Sequence, residues 1–138
     1  MALNYSLSRI YQFSAAHRLH SVALDDNHNR QVYGKCNNLW GHGHNYIVEV
    51  TIKGYPSDDT GMIMPPDKLD EVVQTVLAGL NYKHLDNEVP FFKKTVSSGE
   101  NIIRYLWQEL NKKIPDSKLY HIKLWETNNN TFETGKEY

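Results

Sequence analysis

The sequence predicts an α+β fold, an antiparallel sheet with two helices packed on one face. Three observations predict it. Residues 5–17, 45–54 and 119–127 alternate apolar and polar side chains with the period of a half-buried strand. Two intervening segments carry apolar residues at helical spacing. The order is strand, strand, helix, helix, strand, not the regular strand–helix alternation that builds parallel sheets.

In residues 5–17, Tyr5, Leu7, Tyr11 and Phe13 alternate with Ser6, Ser8 and Gln12. Residues 20–41 are polar and irregular and read as a long loop carrying Cys36. Between Asn45 and Gly54, Tyr46, Val48, Val50 and Ile52 share one face, with Glu49, Thr51 and Lys53 on the other. A turn region follows at 55–61, and a short strand near Met62–Met64 would bring the sheet to four antiparallel strands. Pro65-Pro66-Asp67 opens a helix, whose apolar stripe is Leu69, Val72, Val73, Val76, Leu77 and Leu80. Ser97 and Glu100 match a capping box ahead of Ile103, Leu106, Trp107, Leu110 and Ile114, and Pro115 helps to end that helix. In the last strand Tyr120, Ile122, Leu124 and Glu126 lie on one face, with His121, Lys123 and Trp125 on the other.

The chain reads as one domain over residues 1–138. Its 15 basic and 16 acidic residues give a net charge of −1, which argues against nonspecific binding to nucleic acid or to an anionic membrane. No apolar run approaches a membrane span, and the N-terminus lacks a signal-peptide profile, so a cytoplasmic location is expected. The one cysteine excludes an intrachain disulfide and a cysteine-rich zinc site. Seven histidines raise the prior for metal chemistry.

His42-Gly43-His44 heads the second strand. Strand parity puts both imidazoles on one face as close neighbours, a pair suited to gripping a metal ion; the alternatives are a turn or a hydrogen-bonded histidine pair. A third nitrogen would complete a three-histidine zinc site with an open position, the catalytic pattern. His17, at the end of the first strand, reaches the same place if the two strands pair; His20, His28, His84 and His121 are rivals. Cys36 reads either as a small buried thiol or as a thiolate base beside a metal ion. Glu126 continues an apolar row. It is either solvated at the strand end or an anchor that accepts two parallel hydrogen bonds from a guanidine-like N–H pair. The capping box accounts for Glu100, which ranks second as a ligand contact.

Together these segments resemble the 6-pyruvoyl-tetrahydropterin synthase family, which includes the 6-carboxytetrahydropterin synthases. The matching text is Phe13-Ser14-Ala15-Ala16-His17-Arg18-Leu19, Gly34-Lys35-Cys36-Asn37-Asn38 and Gly41-His42-Gly43-His44-Asn45-Tyr46. Further on come Gly61-Met62, Ser97-Ser98-Gly99-Glu100-Asn101 and Glu126-Thr127-Asn128-Asn129-Asn130. The resemblance implies the T-fold, with trimers closing a twelve-stranded barrel and two trimers stacking into a homohexamer with active sites between subunits. It implies Zn2+ held by His17, His42 and His44, Cys36 as the proton-transferring residue, and Glu126 as the pterin anchor, with Ser98 and Glu100 as further substrate contacts. The implied substrate is 7,8-dihydroneopterin triphosphate, and the implied reaction is a lyase reaction that expels triphosphate. Arg18 and Lys35 are candidate phosphate partners by charge alone.

The chain departs from the family pattern at one segment. The family usually carries Asp-His in a Leu-Asp-His-Lys-like stretch beside the cysteine. Here Leu80-Asn81-Tyr82-Lys83-His84 stands in that place, with Asn81-Tyr82 replacing Asp-His once a one-residue deletion is allowed in the preceding helix. His84 is the imidazole available to the relay, and Tyr82 is a hydrogen-bonding stand-in. Gly99 also replaces a residue that is commonly threonine. Five residues separate Cys36 from His42, as in animal-type enzymes that form the pyruvoyl product. The alternatives are a 6-carboxytetrahydropterin synthase of deazapurine synthesis and a pterin-binding paralogue without turnover.

Overall fold

The computed structural model describes residues 3–138. Strands β1 (Tyr5–His17) and β2 (His42–Gly54) form a long antiparallel pair, with Phe13 opposite Tyr46 and His17 opposite His42. Strand β4 (Leu119–Trp125) pairs antiparallel with the far edge of β2, and β5 (Thr131–Gly135) pairs antiparallel with β4. A two-residue strand, β3 (Lys83–His84), lies parallel to the end of β1. The sheet is therefore five-stranded and mixed, in the order β3-β1-β2-β4-β5, and not the four-stranded antiparallel sheet that the sequence predicts.

Two helices, α2 (Pro66–Ala78) and α4 (Gly99–Lys113), pack against each other, and α4 lies against β4 and β5. Pro66 at the first helical position starts α2, where a missing N–H costs nothing. Leu69, Val73, Val76 and Leu77 of α2 meet Ile102, Ile103, Leu106 and Leu110 of α4 over the row Tyr46, Val48, Val50 and Ile52 of β2. Each such apolar side chain contributes about 1.5–3 kcal/mol on full burial. A one-residue slip of β2 would turn that whole row to solvent, so the core fixes the register, and through it the positions of His42 and His44.

Several local expectations need correction. Residues 62–64 form no strand. The stretch 20–41 contains a helix, α1 (Asp26–Tyr33), and a 3-10 turn at Gly34–Asn37. The Asp25 side chain caps α1 by accepting from His28 N, and Asn29 inside the helix is fully buried and ties Ser21 and Leu24 to it. A polar loop and a short polar helix look alike in sequence because no apolar period marks either. A four-residue helix, α3 (Leu85–Glu88), follows β3. The cap of α4 is Ser98, whose hydroxyl accepts from Asn101 N at 3.3 Å; Ser97 is buried and engaged elsewhere, so the capping box does not form. The shift between Thr51 and Ile52 makes Tyr120 the extra residue of a bulge, so Leu119 takes the core position beside Ile52.

β5 accounts for Gly99. A Cβ at that position would stand 2.1 Å from the Phe132 ring, so glycine is what lets this strand seat its aromatic side chain on the start of α4.

Candidate metal centre and active site

The register of β1 and β2 sets His17 across from His42 and Ala15 across from His44, which turns three imidazoles toward one point at the end of the sheet. Their ring centroids are 4.7, 5.2 and 4.9 Å apart, and one nitrogen from each lies within 4.8 Å of the others. The floor beneath is Tyr46, stacked on Phe13 at 4.7 Å, with its ring 5.5 Å from His44. Of the rivals for the third position, His20, His28, His84 and His121 are outside this cluster.

The donor set fits a metal ion. His17 is 1% exposed, and its Nδ1–H donates to the Ser97 carbonyl at 2.6 Å. That bond fixes the tautomer and leaves the Nε2 lone pair facing His42 Nε2 at 3.1 Å. His44 Nε2 is buried with no hydrogen-bond partner, an arrangement that costs free energy unless something else takes its lone pair. Burial holds both His17 and His44 below the ordinary imidazole range, so both are neutral at pH 7, as metal ligation requires. Three imidazole nitrogens at this spacing suit a metal ion.

His17 is held by a chain of polar contacts. Ser97 Oγ donates to Asp86 Oδ1 at 2.8 Å, and Asp86 Oδ2 accepts from the backbone N–H of Arg18 at 2.7 Å. One carboxylate of α3 thus ties the residue after His17 to the residue whose carbonyl orients His17. Asp86→Asn is expected to destabilise the protein by about 1.5–3 kcal/mol, the range for hydrogen bonds to a charged group. Chemical denaturation measures it, and a change below about 0.5 kcal/mol would show that the clamp carries no strain-bearing load.

Glu126 follows β4 in the tight turn 126–130, where its N–H donates to the Asn130 carbonyl at 3.0 Å. Its side chain is 12% exposed, with Oε2 4.0 Å from His17 Nε2. The structure therefore brings Glu126 to the histidine cluster; it is not a solvated strand end. Cys36 lies in the Gly34–Asn37 turn, half-buried, and its carbonyl accepts from Leu19 N at 2.9 Å, which ties the turn to the chain just beyond His17.

Tyr82 and His84 share with His44 the lining of a cavity of about 400 Å³ at the open edge of the sheet. Tyr82 has a left-handed backbone (φ 60°) and is 86% exposed. His84 sits beside Ala16; its buried Nδ1 makes no hydrogen bond, and Asp86 Oδ2 stands 3.9 Å from it. Gly41 passes close over it: a Cβ there would lie 2.9 Å from both His84 Nε2 and the His17 carbonyl oxygen, at a φ of +78° that also favours glycine. Ser98 and Glu100 are not in the cluster. The Ser98 hydroxyl caps α4, and exposed Glu100 lines a separate cavity with Arg104, Trp107 and Phe132. Sequence reasoning passed over Asp86 and Ser97 as orienting groups. Only a polar residue at a helical apolar boundary hints at either.

The sheet, the helix pair and the histidine cluster define a T-fold-type protein with a candidate mononuclear metal centre. The 6-pyruvoyl tetrahydropterin synthase family model matches residues 6–137, and the chain belongs to that family. It is 46% identical over 125 residues to a 6-pyruvoyl tetrahydrobiopterin synthase of Poecilia reticulata, covering 90% of this chain and 85% of that one. The human protein of that name is 44% identical, over 90% of this chain and 86% of its own. The solved structure of Caenorhabditis elegans 6-pyruvoyl tetrahydropterin synthase superposes with a TM-score of 0.94 at 38% identity, covering 97% of this chain and 96% of that one.

Proposed function

We propose that this chain is a zinc-dependent lyase that converts 7,8-dihydroneopterin triphosphate to 6-pyruvoyl-tetrahydropterin with loss of triphosphate. The observation that carries this reading is the convergence of His17, His42, His44 and Glu126 at one sheet end, in a chain close to proteins named for that synthase.

Zinc would be held by the three histidines and would polarise the hydroxyls of the substrate side chain, acidifying the adjacent C–H bonds. Glu126 would accept two N–H bonds from the pterin ring and so set which side-chain carbon faces the cluster. Cys36 would remove a carbon-bound proton as thiolate and return it during the internal redox tautomerisation that follows departure of triphosphate. Ser98 and Glu100 would make secondary ring contacts at the start of α4. Incubation with 7,8-dihydroneopterin triphosphate and mass spectrometry of the product tests the reading. A three-carbon side chain supports it. A carboxylate would make the chain a 6-carboxytetrahydropterin synthase, and binding without triphosphate release would make it a non-catalytic paralogue.

Glu126→Gln is expected to weaken binding of a simple pterin by about 1.5–3 kcal/mol, roughly 10- to 150-fold, because a charged acceptor is lost. Calorimetry reads it, with zinc content as the control that the histidine cluster is intact. Unchanged affinity would remove Glu126 from the pterin site.

We further propose a homohexamer, a dimer of trimers. β3 covers only Ala15 and Ala16 of β1, which leaves most of the thirteen-residue strand as an open edge among the described residues. Such an edge is a template for pairing with another chain. Light scattering at micromolar concentration should give a hexamer mass; a monomer would refute the assembly. Among the described residues, no helix is long and apolar enough to cross a membrane.

A further inference from the structure

Tyr46 carries a hydroxyl that its packing does not call for. The residue is 0% exposed, and its ring stacks on Phe13 with 4.7 Å between centroids and 7° between planes. The same ring stands edge-on to His44 at 5.5 Å and to His17 at 6.4 Å, at the floor of the candidate metal centre. Phenylalanine would fill this space and bury no polar atom. Yet the hydroxyl oxygen is buried and makes no hydrogen bond to any described residue. Leaving a buried polar group in that state costs free energy, and such groups call for an explanation in function or in bound solvent.

Two carboxylates act on this hydroxyl. Burial first, then the charges of Glu126 and Asp86, hold the phenol well above its ordinary range, so it is a hydrogen-bond donor. Asp86 is already engaged. Its Oδ1 accepts from Ser97 Oγ at 2.8 Å and its Oδ2 from the Arg18 N–H at 2.7 Å. Glu126 is not. Its Oε1 accepts from Asn130 Nδ2 at a long 3.4 Å. Among the described residues its Oε2 has the 4.0 Å approach to His17 Nε2, and the His17 hydrogen sits on Nδ1, bonded to the Ser97 carbonyl. A carboxylate presents about four lone-pair positions. Solvent reaches some of them here, because the side chain is 12% exposed. A pterin ring covering that exposed side displaces the solvent, and the inner side of the carboxylate then needs a donor from the protein.

We infer that Tyr46 is a positioning residue for Glu126: its hydroxyl donates to the carboxylate oxygen that Asn130 leaves free and holds the carboxylate square to a bound pterin ring. This rests on the reading of Glu126 as the pterin anchor. The donor comes from a ring locked between Phe13 and the histidines, so the anchor is held by the same rigid row that carries His44.

The test uses the zinc-loaded protein, with 7,8-dihydroneopterin titrated in a calorimeter and zinc content measured after each titration. Tyr46→Phe should bind it at least about fivefold more weakly, the order expected for one hydrogen bond to a charged group. KM for dihydroneopterin triphosphate should rise by a similar factor, with kcat within about twofold of the parent and zinc content unchanged. Without pterin, Tyr46→Phe should melt no lower than the parent, because the hydroxyl it removes has no partner there. In a Glu126→Ala background, Tyr46→Phe should change pterin affinity by less than about twofold, since the group it positions is gone. Unchanged affinity in Tyr46→Phe, with a loss in Glu126→Ala, overturns the proposal and keeps the anchor. A loss in Tyr46→Phe that persists undiminished in the Glu126→Ala background, or a melting temperature several degrees below the parent with affinity unchanged, also overturns it. Full pterin affinity in Glu126→Ala refutes the anchor reading itself, and the positioning role with it.

Discussion

Replacing His42 or His44 by alanine is expected to strip the metal from a protein that remains folded. Each histidine supplies one of three nitrogens that lie within 4.8 Å of one another, and two nitrogens cannot close a tetrahedral zinc site. Both side chains are at the solvent end of β2, beyond the buried row Tyr46 to Ile52 that fixes the strand, so the fold should survive. Zinc should fall from about one ion per chain to trace amounts. Triphosphate release should drop at least a thousandfold, about 4 kcal/mol of barrier. Metal analysis and a melting curve on the same samples check this; full zinc in both folded variants would place the site elsewhere. The pH dependence has a definite sign. Burial keeps the folded values of His17 and His44 below the ordinary imidazole value. The stability they contribute is therefore present above that value and is lost as pH falls through the lowered ones. Zinc should leave over the same acidic range, because protons and metal compete for the same lone pairs.

The histidine cluster was legible because it obeys the simplest rule of strand geometry. His42 and His44 continue the parity of Tyr46, Val48, Val50 and Ile52; His17 stood beside four rival histidines, and the resemblance singled it out. The antiparallel register buries the apolar rows of both strands and sets His17 opposite His42. Glu126 was legible only as one of two readings, a solvated strand end or a carboxylate that needs a partner, and the structure puts its Oε2 4.0 Å from His17 Nε2. What escaped has no period. β3 is two residues long and owes its existence to pairing with β1, a tertiary contact that no local pattern encodes. β5 depends on Gly99 making room for Phe132, a relation between residues far apart in sequence. Helix α1 carries apolar side chains only at its end, Val32 and Tyr33, and is organised by buried Asn29. The capping box failed because Ser97 has a stronger partner in Asp86, which left the adjacent Ser98 to cap α4. The orienting chain from Asp86 through Ser97 to His17 lay hidden behind that mistaken cap.

Cys36→Ala is expected to abolish triphosphate release while zinc stays bound. Cys36 is the single thiol of the chain, and alanine removes the one side chain in its turn that can take a carbon-bound proton as thiolate. The proton must then move on, and the segment that usually carries Asp-His here carries Asn81-Tyr82. Histidine is the side chain suited to passing protons near neutrality, and His84 has the features of a substitute. It lines the same cavity as His44, and its buried Nδ1 makes no hydrogen bond, with Asp86 Oδ2 3.9 Å away. Its alignment with Ala16, one residue short of His17, is the objection, and the close approach of Gly41 offers a second role as a wedge under the loop that carries His42. His84→Ala should slow triphosphate release at least tenfold, about 1.4 kcal/mol. The two roles separate by measurement. Loss of a relay changes the pH dependence of the rate and leaves zinc content intact, whereas loss of a wedge lowers zinc content and leaves the shape of the pH profile alone. Tyr82→Phe removes only a hydroxyl from a side chain that is 86% exposed within the protomer, so its expected effect is smaller than that of His84→Ala. If His84→Ala matches the parent while Tyr82→Phe is crippled, the proton passes through the tyrosine.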